Sequence, residues 1–274
     1  MGDKEGKARG SSSDRMLSVL DRFTAEQPAW TVEALQVELE CSRATTYRYV
    51  RALVEAGLLA AAAGGTYVLG PRIIELDRQI RLCDPLVIAA KDVMVRVKEE
   101  QQANLMLCSF YGDKVMSVHQ EWVDPKIESS YERGRPMPLF RGATAKTILA
   151  NLPTYQQRAL LLRYGPEIKA AGLGGDWNEF RKHLKSIRQD HALVSWGEID
   201  PALVGIGAPI FFDEGQVTGS ISFIVRSARL GEERIEELRR AVSDAAAEIS
   251  GRLGMVTSAS ATGQYVARPP RRLS

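Results

Sequence analysis

Three arginines lie close together in the segment SRATTYRYVRALVEAGLL, which covers residues 42–59. Arg43, Arg48 and Arg51 are interleaved with threonines and tyrosines, and no acidic residue appears before Glu55. Arginine pairs bidentately with guanine edges and with phosphate, and hydroxyl side chains suit phosphate contacts. This composition is typical either of a helix that lies against DNA or of an ordinary helix with a solvated basic face.

Helical spacing divides this segment into an inward and an outward face. Residues that recur every three or four positions are expected to pack inward, and these are Thr46, Tyr49, Val50, Leu53 and Gly57. The residues left outside form the set that we predict to contact DNA: Arg43, Ala44, Thr45, Tyr47, Arg48 and Arg51.

The elements around this segment follow the order of a winged helix-turn-helix. An amphipathic helix is predicted from Asp14 to Pro28, and a second, short helix follows the capping residue Thr31. Ser42 caps the arginine-bearing helix, and extended segments around the Gly64–Gly65 turn predict a hairpin. Because the second helix of such a pair enters the major groove by its N-terminal part, this order favours DNA contact over a solvated face.

The rest of the chain divides by composition and pattern. Residues 1–13 and 255–274 are small, polar and charged, and we expect disorder in both, with a basic end to the second. Residues 14–70 would form the winged helix-turn-helix, and 71–84 a linker helix. Residues 85–254 predict six strands with helices before, among and after them, including a strand over 127–134. We therefore expect an α+β chain whose second domain is a sheet covered by helices.

Composition excludes several classes of protein. The net charge is +2, so any basic surface must be local, and the three cysteines and three histidines are scattered. We therefore expect no disulfide framework, metal site or cofactor, and Cys108 is expected to be a buried small residue. The sequence contains no recognisable catalytic motif, signal peptide or membrane-spanning run, which predicts a soluble cytoplasmic protein without enzymatic activity.

The segments DRMLSVLDRF, TVEALQVELECSRATTYRYVRALVEAGLL and GGTYVLGPRIIEL resemble the DNA-binding domain of IclR-family transcriptional regulators. Two later segments, RGRPMPLFRGATAKTILANLP and GIGAPIFFDEGQVTGSISFIVRSARL, are similar to further motifs of that family. The resemblance covers residues 14–254 and implies a winged-helix domain, a linker helix and a GAF-like effector-binding domain. It also implies homodimers or homotetramers on palindromic double-stranded operators, with small metabolites as effectors, often carboxylic or aromatic acids.

The resemblance further implies an effector site between the sheet and the helix that follows the PMPLF motif. The backbone N–H groups of Ala143 and Thr144 would hold a carboxylate there. The implied effector-binding residues are Ser129, Met137, Arg141, Ala143, Thr144, Ser195, Leu203, Gly205, Ser222 and Ile224.

Several positions depart from the family pattern. Phe140 replaces the usual histidine, Ala145 the usual glycine, and Ser195 stands where the family has an acid. Gly205 and Ile224 replace polar residues of some members, so we expect an apolar pocket for an aromatic or otherwise bulky carboxylate. Alternative interpretations are a surface ion pair for Arg141 and a polar strand face for Ser129, Tyr131 and His119.

These expectations combine into a ligand-responsive DNA-binding transcription regulator, a repressor or an activator, of a catabolic operon such as one for aromatic compounds. The effector would shift the dimer between DNA-binding states by binding one of them more tightly. Two alternatives remain open on the sequence: a winged-helix module that binds proteins, and an enzyme that lacks a recognisable catalytic motif.

Overall fold

The computed structural model describes residues 11–212 and 215–259, without the side chains of 128–130, 229 and 256–259. The chain divides between Cys83 and Asp84 into two units, and each unit has hydrophobic clusters of its own. The described elements of the N-terminal unit are α1 (Ser12–Leu17), β1 (Trp30–Thr31), α2 (Val32–Leu39), α3 (Arg43–Glu55), β2 (Leu59–Ala61), β3 (Thr66–Leu69) and α4 (Pro71–Cys83).

Side-chain caps set the ends of the α2–α3 pair. The Thr31 hydroxyl accepts a hydrogen bond from the Ala34 N–H at 3.1 Å, and the Ser42 hydroxyl accepts one from the Thr45 N–H at 3.3 Å. Gly57 follows α3 with a φ of 72°, in the left-handed region that glycine adopts without strain. Both predicted helix starts and the predicted glycine after α3 are confirmed.

The inward face of α3 packs in the core of the N-terminal unit. Thr46, Tyr49, Val50 and Leu53 are buried, as predicted, and Leu35 of α2 lies in the same cluster. Gly57 lies beyond the helix and is half-buried, so it does not belong to that face.

The wing is a small antiparallel sheet in the order β1–β3–β2. Leu59 pairs with Leu69 across the predicted hairpin, whose turn is a 3-10 segment over Ala63–Gly65. The third strand, β1, was not predicted, because its two residues carry no alternating pattern; it pairs Trp30 with Tyr67.

The predicted first helix, Asp14 to Pro28, is wrong at both ends. It begins at Ser12, because Ser11 and Asp14 form a reciprocal capping box, so residues 11–13 do not belong to a disordered lead-in. The helix ends at Leu17, and only a 3-10 turn follows over Leu20–Arg22. The Trp30 indole N–H donates to the Arg22 carbonyl at 2.8 Å, which takes an acceptor that a continuing helix would use. Residues 1–10 of the predicted lead-in lie outside the described residues.

In the C-terminal unit, the described strands form a six-stranded antiparallel sheet. Its order is β6–β5–β4–β9–β8–β7. The strands are β4 (Asn104–Phe110), β5 (Val115–Glu121), β6 (Pro136–Met137), β7 (Leu193–Trp196), β8 (Leu203–Phe212) and β9 (Gln216–Arg226). The helices are α5 (Pro85–Gln101), α6 (Gly142–Asn151), α7 (Thr154–Ala170), α8 (Trp177–Gln189) and α9 (Glu232–Ala259).

The two faces of this sheet carry separate cores, because neighbouring residues of a strand point to opposite sides. Leu105 and Leu107 of β4 pack with α5 and α9, whereas Met106 and Cys108 pack with α6, α7 and α8. The expected α+β domain, a sheet covered by helices, is confirmed. Among the described residues no helix is long and apolar enough to cross a membrane.

The strand predicted over 127–134 is wrong. The segment begins with a 3-10 turn over Pro125–Ser130, and the edge strand is β6, further along the chain. The Asn104 side-chain oxygen accepts hydrogen bonds from the Val123 and Asp124 N–H groups at 2.7 and 2.8 Å, which turns the chain away from the sheet. At the other end, α9 continues to Ala259, so residues 255–259 are helical and the predicted tail begins too early; residues 260–274 lie outside the described part of the chain.

Candidate functional site

The outward face of α3 presents the predicted DNA-contacting side chains together. Arg43, Ala44, Tyr47, Arg48 and Arg51 are exposed, and Thr45 is half-buried. All six stand on one helix whose opposite side is anchored in the core. The helix therefore holds a set of donors in fixed relative positions, with the small Ala44 near its N-terminus, where bulk would keep a partner away.

The three arginines differ in their partners. Arg43 Nη2 lies 3.1 Å from Glu33 Oε1, and Arg51 Nε lies 2.8 Å from Glu55 Oε1. The Arg48 guanidinium lies 5.7 Å from the centre of the Tyr49 ring and has no carboxylate partner among the described residues. Arg48 can therefore contact an anionic partner without breaking an ion pair, whereas the other two exchange a carboxylate for it.

The C-terminal unit contains a cavity of about 20 Å³ between the N-terminus of α6 and strands β7, β8 and β9. Six of the ten predicted effector-binding positions line it: Ala143, Thr144, Ser195, Leu203, Gly205 and Ile224. The cavity also contacts residues that were not predicted as effector-binding: Tyr131, Gly142, Glu198, Ile199 and Asp200. Because one water alone needs about 10–15 Å³ of cavity volume, a cavity of about 20 Å³ is too small for an organic acid.

Four predicted positions do not line the cavity. Met137 is buried in the core that the sheet forms with α6, α7 and α8. Arg141 is exposed at the N-cap position of α6, where its side chain makes no capping hydrogen bond. The Ser222 hydroxyl accepts a hydrogen bond from the Thr144 hydroxyl at 2.9 Å, so it stands behind the cavity wall. The side chain of Ser129 lies outside the described residues. The alternative of a surface ion pair for Arg141 gains no support, because none involves it in the described part of the chain.

Two of the N–H donors at the N-terminus of α6 are already bonded to the protein's own side chains. The Ala143 N–H donates to the Ser195 hydroxyl at 2.8 Å, and the Gly142 N–H donates to Glu198 Oε2 at 2.9 Å. The other Glu198 oxygen, Oε1, lies 2.5 Å from Lys146 Nζ. An internal carboxylate therefore bridges the helix N-terminus and an ammonium group on the same helix.

Sequence reasoning missed Glu198. Its partners, Gly142 and Lys146, lie 56 and 52 positions earlier in the chain, and no local pattern joins a turn residue to them. The only available signal was an acid in the turn-forming run GEIDPA, directly after the strand that carries Ser195.

Close contacts with serine hydroxyls and with Ala143 of α6 explain the glycines of β8. A Cβ at Gly207 would lie 2.6 Å from Ser222 Oγ, and one at Gly205 would lie 3.1 Å from Ser195 Oγ. These glycines allow the start of α6 to pack closely on the sheet. The Ser220 hydroxyl, on strand β9 of that sheet, donates a hydrogen bond to the Thr144 carbonyl at 3.0 Å. Gly205 thus permits close packing at the cavity wall.

Three other candidate groups have ordinary roles. Burial raises the pKa of Tyr131 to about 12, so its hydroxyl at the cavity stays neutral. Cys108 is fully buried, as predicted, and burial raises the pKa of its thiol, which keeps it a poor nucleophile. His119 is a half-buried strand residue within 3.2 Å of Glu121 Oε1, and it does not line the cavity.

Two models of known protein families match this chain. Residues 84–251 match the model of the bacterial transcriptional regulator IclR C-terminal domain, and residues 12–62 match that of the IclR helix-turn-helix domain. The chain belongs to the IclR family. The family is one of transcriptional regulators rather than enzymes; the helix-turn-helix domain binds DNA and the C-terminal domain binds small-molecule effectors.

Individual proteins agree with this membership. The HTH-type transcriptional regulator KipR of Bacillus subtilis is 29% identical over 244 residues, which cover 88% of this IclR-family chain and 96% of KipR. Among solved structures, a putative IclR regulator from Silicibacter sp. TM1040 superposes with a TM-score of 0.73 at 19% identity, covering 89% of this chain and 96% of that one. An IclR homolog from Microbacterium hydrocarbonoxydans, solved with 4-hydroxybenzoate, superposes with a TM-score of 0.68 at 21% identity and covers 89% and 99% of the two chains.

Proposed function

We propose that this IclR-family regulator binds a palindromic operator through the outward face of α3, as a homodimer or a dimer of dimers in the cytoplasm. An aromatic or other carboxylic acid would bind at the N-terminus of α6 and shift the dimer between DNA-binding states. The regulated genes would form a catabolic operon. The observation that carries the proposal is the exposed α3 face, on which Arg48 has no carboxylate partner among the described residues.

The chemistry of α3 suits sequence-dependent contact with duplex DNA. Arg48 offers a planar set of donors that matches the O6 and N7 acceptors of guanine. Arg43 and Arg51 are well exposed, so phosphate can replace Glu33 and Glu55 at little cost, because exposed ion pairs are worth about 0–1 kcal/mol. Thr45 and Tyr47 add hydroxyl groups for phosphate.

The cavity supports a carboxylic acid as the effector. The free end of a helix attracts anions through its N–H groups and its dipole, and Lys146 adds a positive charge there. Ile199, Leu203 and Ile224 supply apolar walls of the kind that an aromatic ring would contact. The 4-hydroxybenzoate bound to the Microbacterium hydrocarbonoxydans homolog, which shares this fold, supports the same class of ligand.

The DNA assignment is tested with the duplex DNA that flanks the regulator's own gene, measured by fluorescence anisotropy at graded salt. Arg48→Ala should lower affinity for the operator by about five- to 150-fold, the loss expected for one bidentate base contact of about 1–3 kcal/mol. Affinity for unrelated DNA should change little. The matched control is Arg72→Ala, because Arg72 is an exposed, ion-paired arginine of α4 and should only weaken binding to both DNAs alike.

Unchanged operator affinity in Arg48→Ala would show that α3 does not read bases as proposed. If the wild-type protein bound no DNA even at low salt, the winged helix would have to serve protein recognition instead. A steep fall of affinity with salt would indicate phosphate contacts.

A further inference from the structure

The turn after β7 places one of the protein's own carboxylates on the proposed effector site. We propose that Glu198 is a built-in competitor: it occupies the position of the effector's carboxylate and keeps the cavity closed until an effector exchanges with it. This proposal rests on the proposed function of the α6 N-terminus as the carboxylate site. It adds a regulating residue and a moving segment, the turn over residues 197–202.

Both oxygens of Glu198 are engaged as those of a bound carboxylate would be. Oε2 accepts the Gly142 N–H at 2.9 Å, and Oε1 pairs with Lys146 Nζ at 2.5 Å. A helix N-terminus stabilises an anion through N–H groups that have no partner within the helix and through its dipole, and the ten-residue helix α6 offers both. Glu198 therefore meets the same chemistry that would recognise an anionic ligand.

The rest of the turn fills the space in front of the helix. Ile199 lies so close to α6 that a Cβ on Gly142 would sit 2.6 Å from its Cδ1. Ser195, on β7 just before the turn, accepts the Ala143 N–H, so strand β7 and the turn each satisfy one of two consecutive helix donors. The remaining volume of about 20 Å³ admits no organic acid. Binding of one therefore requires this turn to move.

Charge balance indicates how it moves. Two carboxylates at one helix end would share a single ammonium group, and their repulsion disfavours that arrangement. The Lys146 side chain is only 12% exposed, whereas that of Glu198 is 30% exposed. Glu198 is therefore the partner that moves into solvent, while Lys146 stays and pairs with the incoming carboxylate. The exchange leaves the charge of the site unchanged.

Such competition lowers the apparent affinity for the effector. When only a fraction of molecules has an open site, the observed dissociation constant is the intrinsic one divided by that fraction. Breaking the Lys146–Glu198 pair should enlarge the open fraction. The two ways of breaking it differ, however, because Lys146 is also needed by the effector and Glu198 is not.

The first measurement is calorimetric titration with 4-hydroxybenzoate and a panel of aromatic and aliphatic acids. Glu198→Gln keeps the size of the side chain but removes its charge, and it should tighten binding by about tenfold, the gain expected if about one molecule in ten is open in the wild type. Lys146→Gln breaks the same ion pair and should not tighten binding. Glu100→Gln is the matched control, since it removes an exposed, ion-paired carboxylate from α5 and should change nothing.

The second measurement needs no ligand. Hydrogen exchange at residues 196–203 should be faster in both Glu198→Gln and Lys146→Gln than in the wild type, with the exchange of α9 unchanged as a control for folding. Equal tightening by both variants, or weaker binding by Glu198→Gln, overturns the proposal because Glu198 would then not compete for the ligand.

The two levels of the inference fail differently. If the wild type binds acids and Glu198→Gln does not tighten them, the competitor is wrong and the effector site stands. If no acid of the panel binds any of the proteins, the effector class is wrong. In that case unchanged hydrogen exchange in Glu198→Gln overturns the closure as well, and faster exchange supports it.

Discussion

The outward face of α3 and the N-terminus of α6 both offer hydrogen-bond donors to a negatively charged partner, but they hold those donors in opposite ways. On α3 the donors are exposed, and different residues, such as Val50 and Leu53, anchor the helix. At α6 the donors are the Gly142 and Ala143 N–H groups, which are buried and bonded to Ser195 and Glu198. On α3 the residues proposed to contact DNA differ from those that stabilise the fold. At α6 the groups proposed to bind the effector also stabilise the fold.

This difference has a physical origin. DNA is a large polyanion that approaches from solvent, so a rigid helix with exposed arginines can meet it without rearrangement. A small acid must be enclosed to be selected, and an empty enclosed site would leave buried donors unsatisfied at a cost of about 1–3 kcal/mol each. The α6 site avoids that cost by closing on its own side chains.

The largest change in stability is expected on α3, where buried and exposed residues of the same helix can be compared. Leu53 is buried and Arg51, two positions earlier, is exposed. Leu53→Ala should lower the free energy of unfolding of the N-terminal unit by about 2–5 kcal/mol through the cavity it leaves, whereas Arg51→Ala should leave it nearly unchanged. Hydrogen exchange of residues 43–59 measures both. A comparable cost for the two variants would contradict the separation of function and stability on this helix.

An intermediate effect is expected at α6, where the Ser195 hydroxyl lines the proposed effector site and also stabilises the fold. Ser195→Ala removes the acceptor of the buried Ala143 N–H and should lower the free energy of unfolding of the C-terminal unit by about 1–3 kcal/mol. Ser227→Ala is the matched control, because its hydroxyl donates to the Ala202 carbonyl at the surface, at 3.1 Å. Thermal unfolding compares them; if Ser195→Ala costs no more than Ser227→Ala, the α6 site does not depend on its internal acceptors.

The same contrast explains what could be predicted from the sequence. The α3 face depends on local features: a cap at Ser42, a glycine at Gly57 and helical spacing between them, all within one short segment. Those features act through neighbours in the chain, so periodicity and capping rules predicted which side of α3 is buried. The residues around α6 could be named only through resemblance to the family, because strands far apart in sequence bring them together.

The errors have the same cause. The strand predicted over 127–134 failed because Asn104, about 20 positions earlier, binds two N–H groups that precede the segment and turns the chain. Glu198 was missed because its partners lie on a helix more than 50 positions away. Periodicity describes a segment's own preferences and contains nothing about a distant side chain that satisfies its backbone.

The smallest expected effect comes from the titration of His119, a residue that belongs to neither surface. Burial lowers the pKa of His119. Glu121 opposes this shift by favouring the charged form, whereas Lys91 and Arg133 add to it by disfavouring that form. The neutral form of His119 therefore contributes stability at pH values above its ordinary pKa of 6.5. This contribution is lost as the pH falls below that value, because the unfolded chain takes up the proton more readily than the folded chain. His119→Gln should flatten the decline in the melting temperature of the C-terminal unit as the pH falls below about 6.5. Because His119 lies on neither α3 nor the cavity wall, affinities for DNA and for acids at neutral pH should be unchanged, and a loss of either would place this histidine in a functional site after all.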